Sequence, residues 1–118
     1  MNERLTPLER IRRKSDFAAI YRDGSRLRGR YFTLVFRVSG LDHPRLAVVA
    51  SRKVGSAVVR NRVKRRFREL FRRNKALLGA PLDLIVVSRP EAGTAAWADL
   101  RDSYLSSLTT ILRKRISS

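Results

Sequence analysis

Between Ser51 and Arg73 the chain reads SRKVGSAVVRNRVKRRFRELFRR, and ten of its 27 lysines and arginines fall in those 23 positions. They are Arg52, Lys53, Arg60, Arg62, Lys64, Arg65, Arg66, Arg68, Arg72 and Arg73, with Glu69 the only acid among them. Charge at this density repels itself in a compact fold, and a polyanion relieves the repulsion. The phosphate backbone of nucleic acid is the matching partner, because lysine and arginine displace its condensed counterions. Arginine dominates, and its planar five-donor fork grips phosphate oxygens in pairs. The chemistry of this stretch is therefore polyphosphate binding.

No other constellation supports catalysis by the chain's own side chains. The ten acids are scattered; Asp99 and Asp102 stand one helical turn apart, but beside Arg101 and Arg113, which suits surface ion pairing. His43 is the only histidine, and it reads as a turn residue of SGLDHP rather than a general base. Gly55 lacks the Lys-Ser or Lys-Thr pair of a phosphate-binding loop. With no cysteine there is no disulfide or thiolate metal site. The expectation is no catalytic residue, no metal ligand and no cofactor on the protein, so that any reaction it joins is carried by another molecule.

The elements around the basic stretch position it. Val59, Val63, Phe67, Leu70, Phe71 and Leu77 or Leu78 recur at spacings of three and four, which predicts a helix with one apolar stripe. Ser56 is its N-cap, and Gly79 with Pro81 stops it. Arg60, Lys64 and Arg68 follow one another at four-residue steps, with Asn61, Arg65 and Arg72 beside them, so a cationic face lies away from the stripe. Strands are predicted before and after, from Arg45 to about Ser51 and from Leu82 to Ser88. A strand, helix and strand in that order form a βαβ unit with parallel strands, and chain geometry alone favours a right-handed crossover.

Tyr31 to Val38 is the surest strand, with Phe32, Leu34, Phe36 and Val38 facing the core. Tyr31, Thr33, Val35 and Arg37 alternate onto a wet face suited to contact with a single strand. Ser25 to Arg30 is a short edge strand or a loop. A short helix from Asp16 to about Arg22, capped by Ser15 and stopped by Gly24, sets Phe17 and Tyr21 on one face, either as core or as a stacking platform. Residues 1–14 form a basic arm in which Leu5, Leu8 and Ile11 cover a core edge. A last helix, from about Ala96 to Arg115, buries Trp97, Leu100, Tyr104, Leu108, Ile111 and Leu112.

At 118 residues and 43% hydrophobic composition the chain makes one domain, residues 1–118, with a real core. The net charge of +17 fits nucleic acid or an anionic membrane surface. No stretch resembles a signal peptide or a membrane span, so a soluble, cytoplasmic protein without a membrane partner is expected.

The ordered run KVGSAVVRNRVKRRFRE, Lys53 to Glu69, resembles the signature of the bacterial ribonuclease P protein component. The resemblance rests on Lys53, Gly55, Ala57, Val58, Arg60, Asn61, Arg62, Lys64, Arg65 and Arg68, without gaps. The basic arm, the helix from Ser15 to Tyr21, Gly24 and the strand start at Arg30 support it. It implies an α+β fold, an α/β sandwich with a mixed four-stranded sheet in αβββαβα order and a left-handed βαβ crossover, against the general rule. It also implies an RNA-binding subunit of an endoribonuclease whose catalyst is RNA, holding the Mg²⁺ and removing the 5′ leader of precursor tRNA. The partners implied are ribonuclease P RNA and the precursor's 5′ leader, with no obligate protein partner. Arg52, Lys53, Arg60, Asn61, Arg62, Lys64, Arg65 and Arg68 would face the catalytic RNA. Phe17, Tyr21, Tyr31, Thr33 and Val35 would line a leader cleft.

Other readings explain the composition less fully. A ribosomal or structural RNA-binding protein accounts for the charge but not for the ordered run. A DNA-binding regulator lacks base-reading residues beyond Asn61. A protein-only nuclease lacks clustered acids, and a membrane-surface helix would surrender the stripe the core needs.

Overall fold

The computed structural model describes residues 5–117, the side chains of 114–117 excepted. The start of the basic arm and the side chains of Lys114 and Arg115 lie outside the described residues. Helix α1 (Lys14–Asp23), strands β1 (Ser25–Arg28), β2 (Phe32–Val38) and β3 (Arg45–Val49), helix α2 (Ala57–Asn74), strand β4 (Leu82–Ser88) and helix α3 (Trp97–Ser117) follow in that order. The sheet runs β1-β2-β4-β3, with β1/β2 and β2/β4 antiparallel and β3/β4 parallel. The βαβ unit is thus β3, α2 and β4, and Ser25–Arg28 resolves as an edge strand.

Alternation on the strands gives the sheet two apolar faces. Phe32, Leu34, Phe36, Leu46, Leu84 and Val86 point to one side and pack with Val63, Phe67, Leu70 and Phe71 of α2 and with Leu100, Tyr104, Leu108 and Ile111 of α3. Phe32 meets Phe67 edge to face, ring centres 5.2 Å apart. On the other side α1 covers a smaller cluster of Ile11, Ile20, Val35 and Ile85, with Phe17 and Tyr21 partly buried at its margin. Val38 was expected in the core but is 57% exposed, as the last residue of β2. Val35 was expected on a wet face; α1 lies over it and leaves it 1% exposed.

Ser56 caps α2 as its sequence requires, its hydroxyl accepting from the Val59 N–H at 3.3 Å. A 3₁₀ turn over Lys75–Leu78 follows, ended by Gly79 in the left-handed conformation at φ 65°. Leu78 is the buried member of its pair, and Leu77 is exposed. Helix α1 begins earlier than expected: Arg13, not Ser15, is its N-cap, with no side-chain bond, and its first turn continues from the arm.

The arm from Leu5 is tied down along its length. Ile11 donates its N–H to the Leu46 carbonyl at 3.0 Å, extending the sheet beside β3, and Lys75 Nζ donates to Glu9 at 2.6 Å. Leu5 and Ile11 are buried as expected, whereas Leu8 is 71% exposed, because the 3₁₀ turn over Pro7–Glu9 rolls it outward.

His43 pins the same arm from the β2–β3 turn. Its Nδ1 lies 2.7 Å from Asp42 Oδ1 and its Nε2 2.9 Å from the Leu8 carbonyl. Both neighbours are acceptors, so both ring nitrogens donate only in the imidazolium form. The bond to Asp42, above all, raises the His43 pKa. A raised folded-state pKa means the contribution is complete below the ordinary histidine value of about 6.5 and is lost as pH rises through the folded value. Amide exchange at 8–11 is therefore expected to quicken beyond the intrinsic rate as pH rises above about 6.5, and His43→Gln to remove that extra dependence; identical profiles would refute the clasp.

Candidate nucleic-acid interface

The α2 surface divides by what each cation touches. Asn61 and Arg65 stand exposed on the crest, and Arg60, Lys64 and Arg68 form a half-buried row along one flank. On the opposite flank Arg62 Nη2 donates to the Gly93 carbonyl at 2.9 Å and Arg66 Nη1 to the Ala95 carbonyl at 3.1 Å. These two hold the segment after β4 against α2, so Arg62 has a structural task the sequence did not reveal. Glu69 pairs with Arg73 at 2.6 Å, one turn on, which leaves the crest and the first flank cationic.

Arg52 and Lys53 are exposed on a 3₁₀ turn before α2. Gly55 closes that turn at φ 151°, and a Cβ there would lie 2.9 Å from the Val59 side chain. Only glycine brings this turn so close to the first turn of the helix. The two cations therefore continue the α2 surface around its N-terminus.

At the β3 edge this surface meets α1. Arg10, Arg12, Phe17, Ala47, Val48 and Arg68 line a cleft of about 170 Å³ floored by Leu5, Ile11 and Leu46. Burial, and then the neighbouring charge of Arg10, lower the Arg68 pKa. Two guanidiniums beside one apolar floor suit an anion, whose charge would offset the burial and the repulsion that Arg68 meets there. Arg10 escaped the sequence reading because nothing in its local pattern indicates that the arm pairs with β3.

The face of the sheet beside α1 continues the cleft. Thr33, Ala47, Val49 and Val87 are half-exposed there, and Phe17 and Tyr21 stand over its margin. Burial raises the Tyr21 pKa, partly offset by Arg26. Tyr31 departs from the expected alternation: it lies in the β1–β2 turn, packs against the larger core and accepts from the Arg89 N–H at 2.8 Å. Val35 lies beneath α1 and offers no open surface. Of the five residues expected in the leader cleft, Phe17, Tyr21 and Thr33 thus share one accessible face.

Away from the cleft, Asp83 is fully buried between Arg37 and Arg45, its neighbours on the flanking strands. Arg45 donates Nε and Nη2 to its two oxygens at 2.9 Å each, and Arg37 Nε donates at 3.2 Å. Arg45 also reaches Asp16 of α1 at 3.2 Å. This network fastens α1 to the sheet. Among the described residues no group of His, Cys, Asp and Glu could hold a metal ion, and no helix is long and apolar enough to cross a membrane.

The comparisons agree with this geometry. A Thermotoga maritima protein named ribonuclease P protein component is 44% identical over 89 residues, 75% of this chain and 76% of that one. The Staphylococcus aureus RNase P protein structure superposes with a TM-score of 0.79 at 32% identity, covering 88% of this chain and 94% of that one. The Thermotoga maritima RNase P protein structure does so with a TM-score of 0.77 at 36% identity, covering 85% and 94%. The family model described as Ribonuclease P matches residues 5–112, and the chain belongs to the bacterial ribonuclease P protein components, subunits of a ribonucleoprotein endoribonuclease that processes tRNA.

Proposed function

We propose that this subunit, associated with ribonuclease P RNA, binds that RNA through Arg52, Lys53, Arg60, Asn61, Lys64, Arg65 and Arg68 and holds the precursor tRNA 5′ leader in the cleft beside α1. The observation that carries the reading is the junction at the β3 edge, where Arg68 of the α2 surface and Phe17 of the α1 surface line one cleft. A strand leaving an RNA docked on α2 enters that cleft directly. Its phosphates meet Arg10 and Arg68, and its bases meet Phe17, Tyr21 and the sheet face around Thr33. Arg62 contributes by holding the segment after β4, with its charge as a supplement. The protein holds no metal in this reading: the RNA carries the Mg²⁺, and the α2 cations reduce phosphate repulsion so that less Mg²⁺ is needed. The setting is cytoplasmic.

Phe17→Ala and Tyr21→Ala, each assembled with the RNA, are expected to weaken precursor tRNA binding by roughly 10-fold per ring, as lost base stacking does. Mature tRNA, lacking the leader, is expected to bind unchanged. Phe17→Leu keeps an apolar side chain against the small cluster and separates stacking from packing. Equal losses for precursor and mature tRNA would show the rings to be core alone.

A further inference from the structure

Strand β1 carries a cationic feature outside the cleft described above. It is the sheet's outer strand on the side away from β3 and α2, and its sequence continues as SRLRGR. Arg26 and Arg28 lie opposite Val35 and Thr33, so both belong to the α1 side of the sheet. The Arg26 guanidinium sits over the Tyr21 ring, 5.7 Å from its centre, and its Nη2 donates to the Tyr21 carbonyl at 3.3 Å. At the hairpin tip the Arg30 guanidinium sits over the Tyr31 ring at 5.4 Å. All three arginines are exposed, and none has an ion-pair partner among the described residues.

Charge on an edge strand can serve simply to prevent edge-to-edge pairing. These arginines do more chemically, because a guanidinium lying on an aromatic ring keeps one planar face for a base and its N–H rim for a phosphate. Arg26 and Arg28 are about 7 Å apart along the strand, close to the phosphate step of an extended single strand. Thr33 joins them to the open face beside Tyr21, so the accessible path is continuous from Phe17 to the sheet edge.

We infer that the single-stranded path continues beyond Tyr21 and Thr33 onto Arg26, Arg28 and Arg30, so that β1 binds leader nucleotides farther upstream of the cleavage site. The inference rests on the leader reading above. It adds a second stretch of contact at the opposite sheet edge from α2, and leaders long enough to reach it bind more tightly.

The test uses the assembled holoenzyme and precursor tRNAs with leaders of about three and about ten nucleotides, the shorter below and the longer within the range one single-strand site accommodates. Arg28→Gln with Arg30→Gln is expected to weaken the long-leader precursor roughly 5- to 10-fold and to reduce its salt slope by about 1.4, two single-strand phosphate contacts. The short-leader precursor is expected to bind as it does to the unaltered holoenzyme. Arg28→Gln alone is a further check, since no hydrogen bond or ion pair of Arg28 would be lost from the described fold. Unchanged long-leader affinity would overturn the inference and leave the arginines as edge guards. Equal losses with both leaders would overturn it too, by placing the contact on the RNA subunit or the tRNA body. If the unaltered holoenzyme showed no preference for either precursor over mature tRNA, the leader reading would fail and this extension with it. An advantage of the long leader over the short one that the variant retains in full sinks the extension alone.

Discussion

Asp83→Asn is expected to lower the melting temperature by about 10–20 °C, the largest effect of any single polar substitution in the domain. Asp83 is fully buried, and its two oxygens accept three hydrogen bonds, two from Arg45 and one from Arg37. Removing one partner of a buried pair costs about 3–5 kcal/mol, since the remaining charges keep their desolvation penalty without their compensation. In a domain of this size each kcal/mol moves the midpoint by several degrees. The loss extends to function, because Arg45 also holds Asp16 and thereby α1. Leader affinity should fall along with stability. Asp102→Asn is the contrast: its pair with Arg101 is on the surface, where such pairs contribute about 0–1 kcal/mol. A shift for Asp83→Asn no larger than that for Asp102→Asn would show that the network does not hold the sheet together.

The second large effect belongs to the α2 surface. Arg60→Ala, Lys64→Ala and Arg65→Ala combined are expected to weaken binding to ribonuclease P RNA by about 100-fold at moderate salt and to reduce the salt slope by about 2 to 3. Leader cleavage by the assembled enzyme should then require more Mg²⁺. The set omits Arg62, which would complicate the result: Arg62→Ala leaves the buried Gly93 carbonyl without its donor, a cost of about 1–3 kcal/mol in stability. Filter binding across a salt series, with melting curves for each variant, distinguishes the two. An unchanged slope in the folded triple variant would remove α2 from the RNA interface.

Much of the architecture was legible because it rests on local periodicity. The α2 stripe of Val63, Phe67, Leu70 and Phe71, its Ser56 cap and its Gly79 stop all follow from residues within a few turns of one another. Leu34 and Phe36 of β2, and the apolar run of β4, likewise require burial wherever the strands pair. Local pattern misled where coverage was decided elsewhere. Val35 and Val38 both alternate correctly along β2, yet α1 covers the first and the second stays mostly exposed at the strand's end. Tyr31 changes sides because β2 begins at Phe32, one residue later than alternation assumes, and leaves Tyr31 in the hairpin turn. Asp83 was hidden in an apolar strand, since its partners, residues 37 and 45, come beside it only through the strand register.

By itself the sequence determined the class of partner and the helix that presents the charge, because net charge and helical spacing survive any tertiary arrangement. It also carried the family, through an ordered run of residues that composition alone would not require. Tertiary structure alone decided which cations are open and which are committed: Arg65 stands on a crest while Arg62, three residues earlier, holds a carbonyl. It alone brought Arg10 beside Arg68 and Phe17, across more than fifty residues of chain. The physical reason is that a site is made where separate elements share a boundary, and which elements share one depends on strand order and register, to which local residue patterns are nearly indifferent.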